Sequence, residues 1–195
     1  MIDKRFFKKL KTNYQRTQIK RRWLTGLASE AQHLSKQSIF VAQRGDLALS
    51  VSLLTKATGY LKKIQPIFKK FQDLENLGVY RAALEEYVEA KLFLDILKHQ
   101  PISSLPQFNI SPEIYLGAVS DAIGETVRLA VKYAAQSKVA EVKSLQILAT
   151  NLTGWLAEFN LTGPLRSKFD QAKRHLIRLE EINYDLAIKK NYEAN

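Results

Sequence analysis

The chain has 195 residues, 30 lysines and arginines against 19 acids, and a formal net charge of +11. It has no cysteine, which excludes a disulfide framework, a thiol nucleophile and a thiolate metal site. With 46% hydrophobic and 25% charged residues the composition is that of a globular protein, not a disordered tail.

The first 43 residues read as one helix. Phe6, Leu10, Trp23, Leu24, Leu27, Ala28, Ala31, Leu34, Ile39 and Phe40 recur at helical spacing. The charge is concentrated here: residues 1–22 carry nine positive side chains and one negative, Asp3. The other 173 residues are nearly neutral, at +3. Such a block points to a polyanion partner, nucleic acid or an acidic membrane surface; the plain alternative is a solvated helix that aids solubility. No apolar run and cleavage site follow it, so it is not a secretory signal, and the expected location is the cytoplasm. No stretch reaches 18 apolar residues, so no membrane span is expected. Without a signal peptide, the Asn-Leu-Thr triplets at Asn151 and Asn160 are chance matches to a glycosylation pattern.

Arg44-Gly45-Asp46 ends the first helix, with Gly45 as the stop and Asp46 as the next N-cap. A second helix is predicted from about Leu47 to Gln72, interrupted or kinked near Pro66, and a third from about Val79 to His99. Residues 100–111 form a loop. Ser111-Pro112-Glu113 then starts a fourth helix, which runs to about Gln136. A fifth spans about Val139 to Phe159. A sixth runs from Pro164 to about Lys190, with Leu165, Phe169, Ala172, Leu176, Leu179 and Leu186 on one side. No alternating β pattern or internal repeat is present. The predicted fold is an all-α, antiparallel bundle of about six long helices. It forms a single domain over 1–195, with 1–22 as its basic N-terminal segment.

Two pairs of acids stand out. At about 100° per residue, Lys91, Asp95 and Lys98 share an edge of the third helix with Leu84, which predicts a solvated edge. Glu86 and Glu89 flank Phe93 on the opposite, apolar side. Carboxylates on such a face are paired, metal-bound, facing a cavity, or at a half-exposed margin reaching water. On the fourth helix Asp121 and Glu125 share a polar stripe with Arg128 and Lys132, opposite Leu116, Ile123 and Val127. These bases or a shared cation would offset the repulsion of the two acids. Acids projecting from neighbouring bundle helices are one way to hold divalent metals, and all-oxygen donors suit Mg²⁺ or Mn²⁺. Three scattered histidines, His33, His99 and His175, argue against a histidine metal cluster.

At these residues the chain resembles the translin/Trax family, nearer to Trax. Ser35-Lys36-Gln37-Ser38-Ile39-Phe40 through Arg44 is similar to the family's Ser-Lys-x-x-Ile-Phe-x-x-x-Arg helix. Glu85-Glu86-Tyr87-Val88-Glu89-Ala90 resembles the Gln-Glu-Phe-Val-Glu-Ala of Trax. Tyr115 through Arg128 resembles the segment with Asp-Leu-Thr-Gly-Glu-x-x-Arg, with Ala122-Ile123 in place of Leu-Thr. The run from Leu165 to Asp170 and from Leu179 to Leu186 resembles the shared C-terminal part. The resemblance spans most of the chain from residue 20 onward.

The resemblance implies a helical bundle that assembles into octameric shells and binds nucleic acid inside them. For Trax-type subunits it implies Mg²⁺-dependent endoribonuclease activity. The family's catalytic and metal-binding acids fall on Glu86, Glu89, Asp121 and Glu125. A chain shorter than eukaryotic members that carries all four suggests a prokaryotic homolog that self-assembles. The expected RNA contacts are Lys8, Lys9, Lys11, Arg16, Lys20, Arg21 and Arg22, with Lys36 and Arg44. Phosphate contacts and a metal need no base readout, so unpaired RNA is the favoured substrate, with single-stranded DNA as the alternative. Two rival readings are a non-catalytic RNA- or DNA-binding shell, and a structural bundle whose basic helix meets a membrane or a protein.

Overall fold

The computed structural model describes residues 2–193, with side chains to residue 189; Met1, Ala194 and Asn195, expected to belong to the same domain, lie outside the described residues. Six α-helices follow one another: α1 (Lys4–Arg44), α2 (Leu47–Phe68), α3 (Gly78–Leu97), α4 (Pro112–Ala135), α5 (Val139–Ala157) and α6 (Gly163–Glu193). A short 3-10 turn, Gln72–Asn76, lies between α2 and α3. The second helix ends at Phe68, not near Gln72, two residues after the Pro66 in its last turn. Proline removes a helical donor and crowds the preceding turn, yet α2 continues through Pro66 for two residues before it stops.

The caps explain the boundaries. Asp3 accepts from the backbone N–H of Arg5 and Phe6, Asp46 from that of Leu49, and Ser111 from that of Ile114. Three helices close in the same way. Gly45, His99 and Ser137 each adopt a left-handed conformation. The next N–H reaches back to the carbonyl five residues earlier: Asp46 to Val41, Gln100 to Asp95 and Lys138 to Tyr133. Only the first of these positions is glycine. The third helix therefore stops at Leu97, before the His99 expected to end it.

The α1–α2 hairpin packs on one side of α3, and α4 packs on α3, α5 and α6. Two buried serines tie the hairpin: Ser38 and Ser50 lie 2.8 Å apart, oxygen to oxygen, and each hydroxyl donates to the other's carbonyl. Because α3 is covered by helices on several sides, its lysine edge is not solvated as expected. Leu84 is 1% exposed and Asp95 only 8%, held by an ion pair with Lys91; of that edge Lys98 alone is exposed. The predicted apolar side of α6 does face the core, through Phe169, Ala172 and Leu179.

The first half of α1 is different. Its first buried residue is Leu24. Phe6 and Leu10 continue the apolar spacing but are exposed: among the described residues no other helix covers them. No helix among the described residues is long and apolar enough to cross a membrane.

A non-glycine residue in the left-handed region costs roughly 1–2 kcal/mol. His99→Gly and Ser137→Gly should each raise the unfolding temperature, by a few degrees for a chain of this size. Gly45→Ala should lower it; thermal unfolding followed by circular dichroism separates the three.

Candidate functional site

The four acids converge where α1, α3 and α4 meet. Glu86, Glu89 and Glu125 line a cleft of about 410 Å³ with Lys36, Phe40 and Arg44 of α1. Glu89, Asp121 and Glu125 line an adjoining pocket of about 250 Å³ with Gln171 and His175 of α6. Glu89, Glu125 and Arg128 belong to both, so the two cavities share one carboxylate wall. The i, i+3 and i, i+4 spacings place each pair on one helix face, and the packing of α3 against α4 turns the two faces toward each other.

Each acid has a defined partner or strain. Lys36 Nζ lies 3.5 Å from Glu86 Oε2. Burial pushes the pKa of Glu86 up, and Lys36 only partly offsets this. Gln43 Nε2 donates to Glu125 Oε2 at 3.0 Å and to the Glu125 carbonyl at 2.9 Å. Arg128 Nε stands 3.8 Å from Glu125 Oε1. Lys132, which the polar stripe assigned to the acids, instead donates to the Gln43 carbonyl at 2.9 Å.

Asp121 pairs with Lys168 of α6, whose Nζ is also 2.8 Å from Glu85 Oε1. Burial works against the charge on Lys168, but hydrogen bonds to Asp121 and Glu85 outweigh it and raise its pKa. Gly117 makes room for this bridge, since a Cβ there would sit 2.1 Å from Glu85 Oε1. Gly124 does the same for His175, whose Nε2 lies 3.1 Å from where a Cβ would be.

Glu89 is the focus. Burial and then the charges of Glu86, Asp121 and Glu125 push its pKa up to about 8, with Lys168 pulling weakly the other way. A divalent cation would relieve that repulsion, and four carboxylates are the oxygen donors Mg²⁺ or Mn²⁺ prefers. The donor set therefore fits such an ion in its chemistry. As the side chains stand, no three acids or histidines among the described residues are gathered closely enough to hold one. Lysines occupy two of the acids, so loading would require Lys36 or Lys168 to release its partner.

The basic residues of the N-terminal segment are not drawn into this site. Lys8, Lys9, Lys11, Arg16, Lys20, Arg21 and Arg22 are all exposed on α1. Fourteen residues at about 1.5 Å each separate Arg22 from Lys36 by about 21 Å. Arg16 lines a separate cleft with Lys69, Lys70 and Asp73. Of the expected RNA contacts only Lys36 and Arg44 join the carboxylates. Glu85, Gln43, Phe40, Lys168 and His175 were not expected. A signal existed for Phe40 and Gln43, which follow Lys36 at i+4 and i+7; none existed for Lys168 or His175, which depend on where α6 packs.

An all-helical bundle with a carboxylate wall edged by lysine and arginine defines the class of protein. The family model for the translin family matches residues 20–190, and the chain belongs to that family. No curated protein matches it by sequence. Among solved structures, AfC3PO in complex with duplex RNA has a TM-score of 0.86 at 19% identity, over 94% of this chain and 97% of that one. AfC3PO without that description of RNA gives the same values. Apo-NeC3PO has a TM-score of 0.83 at 23% identity, over 95% and 98%. At these identities the likeness establishes the fold.

Two outcomes follow from the site. The Glu89 pKa is raised on folding from an ordinary 4.5 to about 8. The folded state therefore binds the extra proton between those values, and stability falls as pH rises through that window. Glu89→Gln should unfold at nearly the same temperature as the parent at pH 4.5 and several degrees higher at pH 9, read by thermal melts across the range. Lys168→Met should do the opposite. It strips the ammonium from Asp121 and Glu85 and should cost about 2 kcal/mol at pH 8, read by the same melts.

Proposed function

We propose that the protein is a metal-dependent endoribonuclease of the Trax type, acting within a homo-oligomeric shell, an octamer, of a prokaryotic cell. Glu86, Glu89, Asp121 and Glu125 hold one or two Mg²⁺ or Mn²⁺ ions. The observation that carries this reading is the convergence of these four acids, from two helices, on one wall. Membership of the translin family and the fold shared with a protein solved on duplex RNA support it.

The bound cation supplies a water of lowered pKa and offsets charge developing on the phosphate. The rest is the work of side chains already in place. Lys36, Arg44 and Arg128 edge the cleft and offer charged donors to phosphate oxygens. Gln43 holds the Glu125 carboxylate in orientation through its two hydrogen bonds. Glu89, shared by both cavities, keeps its proton at neutral pH and must yield it when a cation loads, so loading is coupled to pH. The exposed basic residues of the α1 arm add sequence-independent, salt-sensitive phosphate contacts. Lys168 is a positioning residue that fixes Asp121 through its ion pair.

A second reading is a non-catalytic RNA-binding shell. It is favoured by one observation: Lys36 and Lys168 already neutralise Glu86 and Asp121. Cleavage of an end-labelled, single-stranded RNA decides between them. With Mg²⁺ or Mn²⁺ the RNA should be cut, with EDTA it should survive, and Glu89→Ala should cut at least about 100-fold more slowly. RNA that is bound but intact in every metal condition supports the binding shell instead, and equal cutting by Glu89→Ala removes the carboxylate site. A native mass below that of an oligomer would remove the shell.

A further inference from the structure

The positive charge of α1 is not spread around the helix. At about 100° per residue, Lys8, Lys11 and Arg22 fall on the same face as Lys36 and Arg44, within an arc of about 80°. Tyr14 joins this face, and so does Phe40. Both aromatics are exposed, Tyr14 by 64% and Phe40 by 61%. Between Arg22 and Lys36 the same face carries the polar residues Thr25 and Ser29, both exposed, and half-buried Gln32. Lys9, Arg16 and Lys20 lie on the opposite side, where Arg16 borders the cleft against Lys69 and Lys70. At its far end the face runs into the carboxylate cleft, which Lys36, Phe40 and Arg44 themselves line. There the Arg44 guanidinium sits 5.6 Å from the centre of the Phe40 ring.

We infer that this face of α1 is a track for an unpaired RNA strand, leading from the N-terminal arm into the carboxylate cleft. The inference rests on the reading of the protein as an RNA-binding member of its family and specifies the substrate: a single strand of a minimum length. Bases with both faces free stack on exposed aromatic rings, and cations spaced along one line follow a backbone; this combination is the pattern of single-strand grooves. A paired duplex hides the base faces, so Tyr14 and Phe40 would gain nothing from it.

The dimensions set the length. Lys8 and Lys36 are 28 residues apart, about 42 Å along the helix. A stacked strand advances about 3.4 Å per nucleotide, so about twelve nucleotides reach from the arm to the cleft. Shorter RNA can use one end only. The opposite face, with Lys9 and Lys20, lies off this line and adds only general, salt-screened attraction for the backbone.

Fluorescence anisotropy in EDTA, with labelled oligouridylates of 6, 9, 12 and 15 nucleotides and a 15-base-pair RNA duplex, tests this. Affinity should rise at least tenfold between 6 and 12 nucleotides and level off beyond. Lys8→Glu/Lys11→Glu should weaken the 15-mer at least tenfold and flatten its salt dependence, with native mass unchanged. Tyr14→Ala should weaken it roughly tenfold, and Lys9→Glu/Lys20→Glu should weaken it much less than the Lys8/Lys11 pair. Equal affinity at 6 and 15 nucleotides, equal loss from both charge pairs, or duplex binding as tight as the single strand would overturn the track. A changed native mass in the Lys8/Lys11 variant would assign the arm to contacts between copies and overturn it too. No binding of any RNA at about 50 mM salt, by contrast, would overturn the underlying RNA-binding reading.

Discussion

The structure depends on a carboxylate placed where water is scarce. Glu89 projects from α3, which other helices cover on several sides, into a wall it shares with three other acids, and each of those acids raises the cost of its charge. A lone charge in such a place is given up or neutralised. Glu89 accordingly holds its proton at neutral pH, while the three acids around it are each met by a cation: Glu86 by Lys36 of α1, Glu125 by Arg128 of α4 and Asp121 by Lys168 of α6. Arg128 pairs within α4, but Lys36 ties α1 to α3 and Lys168 ties α6 to both α3 and α4, so the electrostatic balance of the site also links helices.

Backbone proximity makes those ties possible. Gly117 and Gly124 stand seven residues apart on α4, one under the Glu85 carboxylate and one under the His175 ring. Alanine at 117 would displace the Glu85 carboxylate, whereas at 124 it would press the His175 ring back by a few tenths of an ångström. The hydroxyl knot of Ser38 and Ser50 serves the same end on the other side, fixing the hairpin that delivers Lys36, Gln43 and Arg44 to the cleft. Fold and site are therefore not separable: the contacts that orient the acids are the contacts that register the helices.

The long first helix joins two regimes. From Leu24 onward it is core, with Ala28 and Ala31 fully buried against its neighbours. Before Leu24 it is a basic, exposed rod whose apolar residues Phe6 and Leu10 have no cover among the described residues. Helical periodicity does not distinguish these regimes, because an amphipathic rod and a core helix repeat alike. The same ambiguity misled the reading of α3, where Lys91 and Asp95 suggested an exposed edge. Their mutual ion pair allows that edge to be buried, and spacing alone says nothing about which neighbours will cover it.

The sequence by itself determined the six helices, the caps at Gly45, Asp46 and Ser111, the basic arm and the two acidic pairs, because these depend on residues within a few turns of one another. Capping side chains, helix breakers and i, i+3 or i, i+4 neighbours act over a range that spacing reveals. The tertiary structure alone decided that the two pairs share one wall. It also decided that Lys168 and His175 join them from the last helix, that Lys132 turns to a carbonyl, and that most of the arm's cations stand away from the acids. Those outcomes follow from how helices far apart in the chain pack, and packing is set by the whole core rather than by any local pattern.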